Sequence, residues 1–277
     1  TDLQSDSSTQ SVQIRSAPLA DQINHLTLDN VYNRFFVIEN NQLISVTGTN
    51  GLTKRMDSTD SVNPLDTVTA MQLDQTNNRM IVLDDQDNLS TIKQVDLTTG
   101  TRSIISQDSI AEPEGTFSTL LYDMALDAAN NKLYIADGQK GIIEMNLSNG
   151  NRTLLTASKF KGVVFDAAND RLIATTSSSV VAVDIDTGAS TTLANNSIAS
   201  GTSNVSLSSL YGIAHDSANN RIFVSSLNSD QIIKVDLADG TRTLVSDNTY
   251  GGDVSFNLPL YMEYDAVNER VLVTDSY

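Results

Sequence analysis

One short pattern recurs six times along this chain and restricts its fold more than any other feature. An Asp opens a turn rich in Asn, an Arg or Lys stands five residues after it, and an apolar run follows. The copies are Asp29 to Arg34, Asp74 to Arg79, Asp127 to Lys132, Asp166 to Arg171, Asp216 to Arg221 and Asp265 to Arg270. Successive Asp anchors lie 45, 53, 39, 50 and 49 residues apart, a period that belongs to propeller blades and not to helical repeats.

Each copy resolves into four strands. Apolar residues at alternate positions before the anchor, such as Met71 and Leu73 or Met124 and Leu126, mark an inner strand with a face packed on its neighbour. The Asp and Asn residues form a tight turn. A second strand follows, as in Lys132-Leu133-Tyr134-Ile135, then a third such as Ile232-Ile233-Lys234-Val235. The next hairpin ends in Gly at Gly51, Gly100, Gly150, Gly188 and Gly240, where glycine supplies the positive φ. The fourth strand is short and polar, as an outer edge should be.

The sequence therefore predicts one all-β domain over 1–277, a six-bladed β-propeller of four-stranded antiparallel blades. The blades fall near 22–57, 66–107, 119–157, 160–195, 208–247 and 258–277 plus 1–16. The sixth copy stops after two strands. Residues 11–16 resemble the fourth strands, and Thr1-Asp2-Leu3 resembles Val235-Asp236-Leu237. The N-terminus is thus expected to complete the last blade and close the ring.

Charge and composition narrow the functions. With 34 acidic against 17 basic residues the net charge is −17, which repels phosphate backbones, so no nucleic-acid partner is expected. The absence of cysteine excludes disulfides, zinc–thiolate sites and a cysteine nucleophile. No apolar run approaches the ~20 residues of a membrane span. The chain opens without an initiator Met and with a Ser- and Thr-rich stretch, and amides and hydroxyls dominate its polar surface. This reads as a processed, exported bacterial protein of the periplasm, the cell surface or the medium, with a lipid-anchored precursor as one origin.

In a propeller the loops leading into the inner strands share one face with those leaving the second strands, around the channel mouth. Here the leading loops are long at 107–118, 195–209 and 247–257 and short at 157–161, which leaves a low side to the rim. Five residues before the anchors stand Asn24, Thr69, Tyr122, Lys161, Tyr211 and Leu260. Four before stand His25, Ala70, Asp123, Gly162, Gly212 and Tyr261. Asn24, His25, Tyr122, Asp123, Lys161, Tyr211 and Tyr261 form the candidate pocket, since tyrosine joins a large contact area to a polar tip. The alternative for the tyrosines is wedging between blades. Asp84-Asp85-Gln86-Asp87-Asn88 lacks EF-hand spacing and reads as a solvated loop. His215 reads as a packing residue, the recurring Asp84, Asp137 and Asp275 as turn formers. No Gly-x-Ser-x-Gly elbow is present.

Segments such as Asn131-Lys132-Leu133-Tyr134-Ile135-Ala136-Asp137 and Tyr211-Gly212-Ile213-Ala214-His215-Asp216 resemble those of six-bladed propellers of the NHL, YWTD, strictosidine-synthase-like and SMP-30/gluconolactonase-like group. The resemblance spans the chain and implies architecture, because the fold hosts both hydrolases and binding modules. An SMP-30-like lactonase would hold a divalent metal such as calcium with Glu, Asn and Asp near the position five before the anchors. This chain has Asn24 there but Thr, Tyr, Lys, Tyr and Leu in the other copies, and Lys161 would oppose a metal. The expectation is a non-catalytic module with no cofactor that binds a small molecule, glycan or protein at the channel mouth. The alternative is an SMP-30-like hydrolase with an atypical site built on His25, Asp123 and Asn24.

Overall fold

The computed structural model describes residues 25–48, 52–56, 63–86, 89–107, 117–118, 120–198, 205–249 and 256–275. Blade 1 comprises β1 (Leu26–Asp29), β2 (Arg34–Glu39), β3 (Gln42–Thr47) and β4 (Thr53–Arg55). Blade 2 has β5 (Thr67–Asp74), β6 (Arg79–Gln86), β7 (Leu89–Asp96) and β8 (Arg102–Gln107). Blade 3 has β9 (Leu121–Asp127), β10 (Lys132–Asp137), β11 (Gly141–Asn146) and β12 (Arg152–Thr156). Blade 4 has β13 (Val163–Asp166), β14 (Arg171–Thr175), β15 (Ser179–Asp184) and β16 (Ser190–Asn195). Blade 5 has β17 (Leu210–Asp216), β18 (Arg221–Ser226), β19 (Gln231–Asp236) and β20 (Arg242–Ser246). β21 (Pro259–Asp265) and β22 (Arg270–Asp275) form a sixth sheet.

Five sheets thus have four antiparallel strands in sequence order, and the sixth has two among the described residues. The expectation of six complete blades is met by five complete ones and this half. The strands expected to finish it, at 1–3 and 11–16, lie outside the described residues. First strands pack on one another in a cycle: β1 on β5, β5 on β9, β9 on β13, β13 on β17, β17 on β21, and β21 back on β1.

The repeated turn explains itself atom by atom. Asp74 Oδ1 accepts from the Asn77 amide at 3.1 Å, and Oδ2 from Asn77 Nδ2 at 2.8 Å. Asp127, Asp216 and Asp265 hold Asn130, Asn219 and Asn268 in the same way. The residue before each Arg or Lys is left-handed, φ 47–56° at Asn33, Asn78, Asn131, Asp170, Asn220 and Glu269, where Asn is tolerated best. Arg34, Arg79, Arg171, Arg221 and Arg270 then return Nε to the anchor carboxylate at 2.6–2.9 Å. Blade 3 departs, because Lys132 pairs with Glu144 at 3.1 Å instead.

Between sheets the faces are apolar. One cluster runs from Phe36 and Leu43 of blade 1 through Met80 and Ile92 of blade 2 to Leu133 and Met145 of blade 3. Each such side chain contributes roughly 1.5–3 kcal/mol when fully buried. Where blade 5 meets the sixth sheet the inner strands come closer still. A Cβ on Gly212 would sit 2.3 Å from the Leu260 carbonyl oxygen, so only glycine fits there.

Of the three expected turn formers only Asp137 shows turn bonds among the described residues, from the Gln139 and Lys140 amides, while Asp84 lies within β6 opposite Thr91. All three hold the loop that leads into their own blade: Asp84 accepts from the Asp66 amide at 2.9 Å, Asp137 from the Ser118 amide at 2.7 Å, and Asp275 from the Asn257 amide at 2.9 Å. The expected solvated loop at 84–88 is corrected at its start, because β6 extends to Gln86 and Asp84 is fully buried. Its Oδ2 pairs with Lys93 at 2.5 Å, and Lys93 is itself 1% exposed. Residues 87–88 lie outside the described residues. His215 packs as expected, half-buried and hydrogen-bonded to the Phe165 backbone beside blade 4.

Candidate functional site at the channel mouth

Backbone irregularities aim the mouth residues. The inner strands of blades 2, 3 and 5 and the sixth sheet each carry a register shift near the position five before the anchor. In β9, Leu121 pairs with Asp137 and Asp123 with Ala136, leaving Tyr122 as the extra residue. Such bulges redirect side chains. In the last three copies a hydroxyl on the second strand takes up a backbone amide beside the mouth. Thr175 accepts from Gly162 at 2.9 Å, Ser225 from Gly212 at 2.8 Å and Thr274 from Tyr261 at 3.2 Å.

Four of the expected residues form a connected arc of rings. His25 lies against Tyr261 with ring centroids 3.6 Å apart. Tyr261 meets Tyr211 edge-on at 5.9 Å, and Tyr211 meets Tyr122 edge-on at 5.9 Å. Lys161 Nζ lies 5.6 Å from the centre of the Tyr211 ring. All three tyrosines are part-exposed, so they do not serve only as wedges. Burial raises the Tyr211 hydroxyl and, more strongly, the Tyr261 hydroxyl, which donates to Tyr211. Tyr122 rests on Gly138, where a Cβ would come within 2.4 Å of the ring.

Deeper in, the chemistry turns acidic. Asp123 accepts from the Val163 amide at 2.9 Å and the Met124 amide at 2.8 Å, so it also ties blade 3 to blade 4. Burial, reinforced by the nearby Glu263 carboxylate, pushes Asp123 up to about 7. Glu263 accepts from the Thr27 hydroxyl at 3.1 Å across the junction of β21 with β1. Burial pushes it up to about 7 as well. Asp123 and Glu263 are both part-exposed residues. Burial holds His25 down to about 3, so its imidazole is neutral near pH 7. His25 Nε2 is buried with no hydrogen-bond partner among the described residues.

The structure thus brings His25, Tyr122, Asp123, Lys161, Tyr211 and Tyr261 together, while Asn24 lies outside the described residues. Glu263 was missed by sequence reasoning. Its signal was present: two residues before the anchors stand Thr27, Gln72, Ala125, Val164 and Ala214 in the other copies, and Glu263 alone is charged. Among the described residues no three His, Asp or Glu side chains converge as a metal site. Among the described residues no helix is long and apolar enough to cross a membrane.

No protein-family profile and no curated protein matches the chain. Solved structures do. The chain is similar to a structure in a nidogen/laminin complex, with TM-score 0.67 and 13% identity over 87% of this chain and 85% of that one. It is similar to an auxiliary nutrient binding protein from Bacteroides ovatus, with TM-score 0.65 and 15% identity over 92% of this chain and 67% of that one. At these identities the likeness is one of architecture, and with the sheets described above it identifies the chain as a β-propeller of four-stranded antiparallel blades.

Proposed function

We propose that the chain is a non-catalytic binding module of an exported protein and takes its ligand at the channel mouth. The observation that carries the reading is the arc of His25, Tyr261, Tyr211 and Tyr122 with Lys161 beside it. Part-exposed tyrosines held by bulges and glycines form a preset surface, and little order is lost when a ligand covers it. The nidogen/laminin and nutrient-binding neighbours support the same reading by analogy of fold alone. In this reading residues 1–16 complete the sixth sheet, which makes the propeller six-bladed and fixes the channel's width.

Tyrosine-resolved NMR with a small-molecule, glycan and peptide library tests the site. The reading expects ligands whose binding falls at least about tenfold in Tyr211→Ala and Tyr122→Ala. A library whose hits ignore both substitutions would remove the mouth from consideration. A second reading, a hydrolase with a rearranged site, has one observation in its favour. Asp123 and Glu263 are both raised to about 7, the range that suits a general acid or base near neutral pH. Turnover of lactones or esters that disappears in Glu263→Gln would establish it and displace the binding-only reading.

A further inference from the structure

The structure gathers three acceptor-bearing side chains around the tyrosine arc. Asp123 and Glu263 bring carboxylate oxygens. His25 brings a buried Nε2 without a partner among the described residues, a lone pair in the Nδ1-protonated tautomer. The tyrosine faces above them carry the negative side of their quadrupoles outward. Lys161 already places an ammonium over one such face. The whole chain adds a net charge of −17, whose field draws cations toward the surface.

From these observations we infer that the channel accepts an organic cation, an ammonium or guanidinium group, whose N–H donors reach Asp123, Glu263 and His25 while its carbon stem lies along Tyr261 and Tyr211. The inference rests on the mouth being a binding site and names the chemistry that site selects. An orphaned acceptor against the Tyr261 ring, which itself lies by Asp123, calls for a ligand rich in donors, and the aromatic walls favour positive over negative or neutral groups. Around the two carboxyls stand Thr27 of β1, Tyr211 of β17 and Tyr261 of β21, and the arc adds His25 just before β1, Tyr122 of β9 and Lys161 just before β13. Lys161 is the one cation in this set, and a bound cation competes with it.

The test is a titration with n-butylamine, methylguanidine and N-acetyl-lysine amide, with n-butanol as the uncharged isostere and butyrate as the anion. The chain has no Trp, so emission comes from its tyrosines, three of which form the arc, and calorimetry in two buffers counts protons released. The cations should bind at least about tenfold more tightly than butanol, because a charged donor meets buried carboxylates. Their affinity should rise about tenfold or more between about pH 5.5 and about pH 8, with proton release, as the carboxyls ionise. Glu263→Gln keeps an acceptor for Thr27 and should weaken the cations at least about tenfold. Lys161→Met should tighten them severalfold, a gain that misfolding does not produce. Binding of N-acetyl-lysine amide would point to a side chain of a protein or peptide, and binding of the small amines alone to a free amine. Equal affinity for butylamine and butanol, or cation binding unchanged in Glu263→Gln, would overturn the inference. Uncharged compounds binding through Tyr211 and Tyr122 in that same experiment would leave the mouth as a binding site while removing the cation.

Discussion

The two ends of this channel are made from the same six repeats and are opposites in design. At the turn end every copy keeps the anchor Asp, and five of six close it with the same Arg contact. At the mouth the equivalent positions hold Asn, Thr, Tyr, Lys, Tyr and Leu, then His, Ala, Asp, Gly, Gly and Tyr. Repetition marks what each blade needs in order to fold. Divergence at a shared location marks where the blades cooperate on one asymmetric surface.

The charges of the two ends also work in opposite directions. Burial acts to raise the anchor carboxyls, but hydrogen bonds from the Asn and Arg side chains outweigh it and hold Asp74, Asp166, Asp216 and Asp265 below the usual range. Their contribution to stability is present above an unfolded value of about 4 and is lost as pH falls through the folded one. Asp123 and Glu263, raised to about 7, have the opposite sign. Their effect leaves the fold intact below about pH 4 and weakens it as pH climbs toward their folded values.

The largest test of this contrast falls on a mouth-side loop anchor. Asp84→Ala removes the countercharge of the buried Lys93, which keeps its bond to the Pro64 carbonyl, and should cost about 3–5 kcal/mol in chemical denaturation. Next, Asp216→Ala at the turn end removes the carboxylate that holds Asn219 and Arg221, at a cost of about 2–3 kcal/mol. Asp127→Ala should cost less, because its Lys132 already pairs with Glu144. Equal losses at Asp216 and Asp127 would mean that the Arg contact carries none of the effect. Glu263→Gln should flatten the decline of melting temperature between about pH 5 and pH 8 and leave the acid limb unchanged. The smallest effect belongs to Lys161→Met, within about 0.5 kcal/mol of the original stability, because this side chain serves the surface and not the packing.

The fold was legible because its determinants are local. An Asp, an Asn and an Arg within one turn specify that turn without help from distant residues, and the 39-to-53-residue spacing follows. The arc was legible in outline, since counting back from each anchor finds Tyr122, Lys161, Tyr211 and Tyr261. Three things were not. The bulges that re-aim Tyr122 and Tyr261 arise from the pairing of two strands, which a linear count treats as regular. Glu263 gains its meaning only when β21 packs on β1 and meets Thr27. The Asp84–Lys93 pair joins two strands within a run that reads as a soluble acidic loop.

Of the chain's eight tyrosines, six lie among the described residues: three in the arc, two at the turn end and Tyr134 in the interior, which makes the central claim directly measurable. With ring-labelled tyrosine, ligand addition should move the resonances of Tyr122, Tyr211 and Tyr261 together. Tyr32 and Tyr264 at the turn end, and the buried Tyr134, should stay still. Shifts confined to Tyr32 or Tyr264, with the arc unmoved at saturating ligand, would contradict the assignment of binding to the mouth.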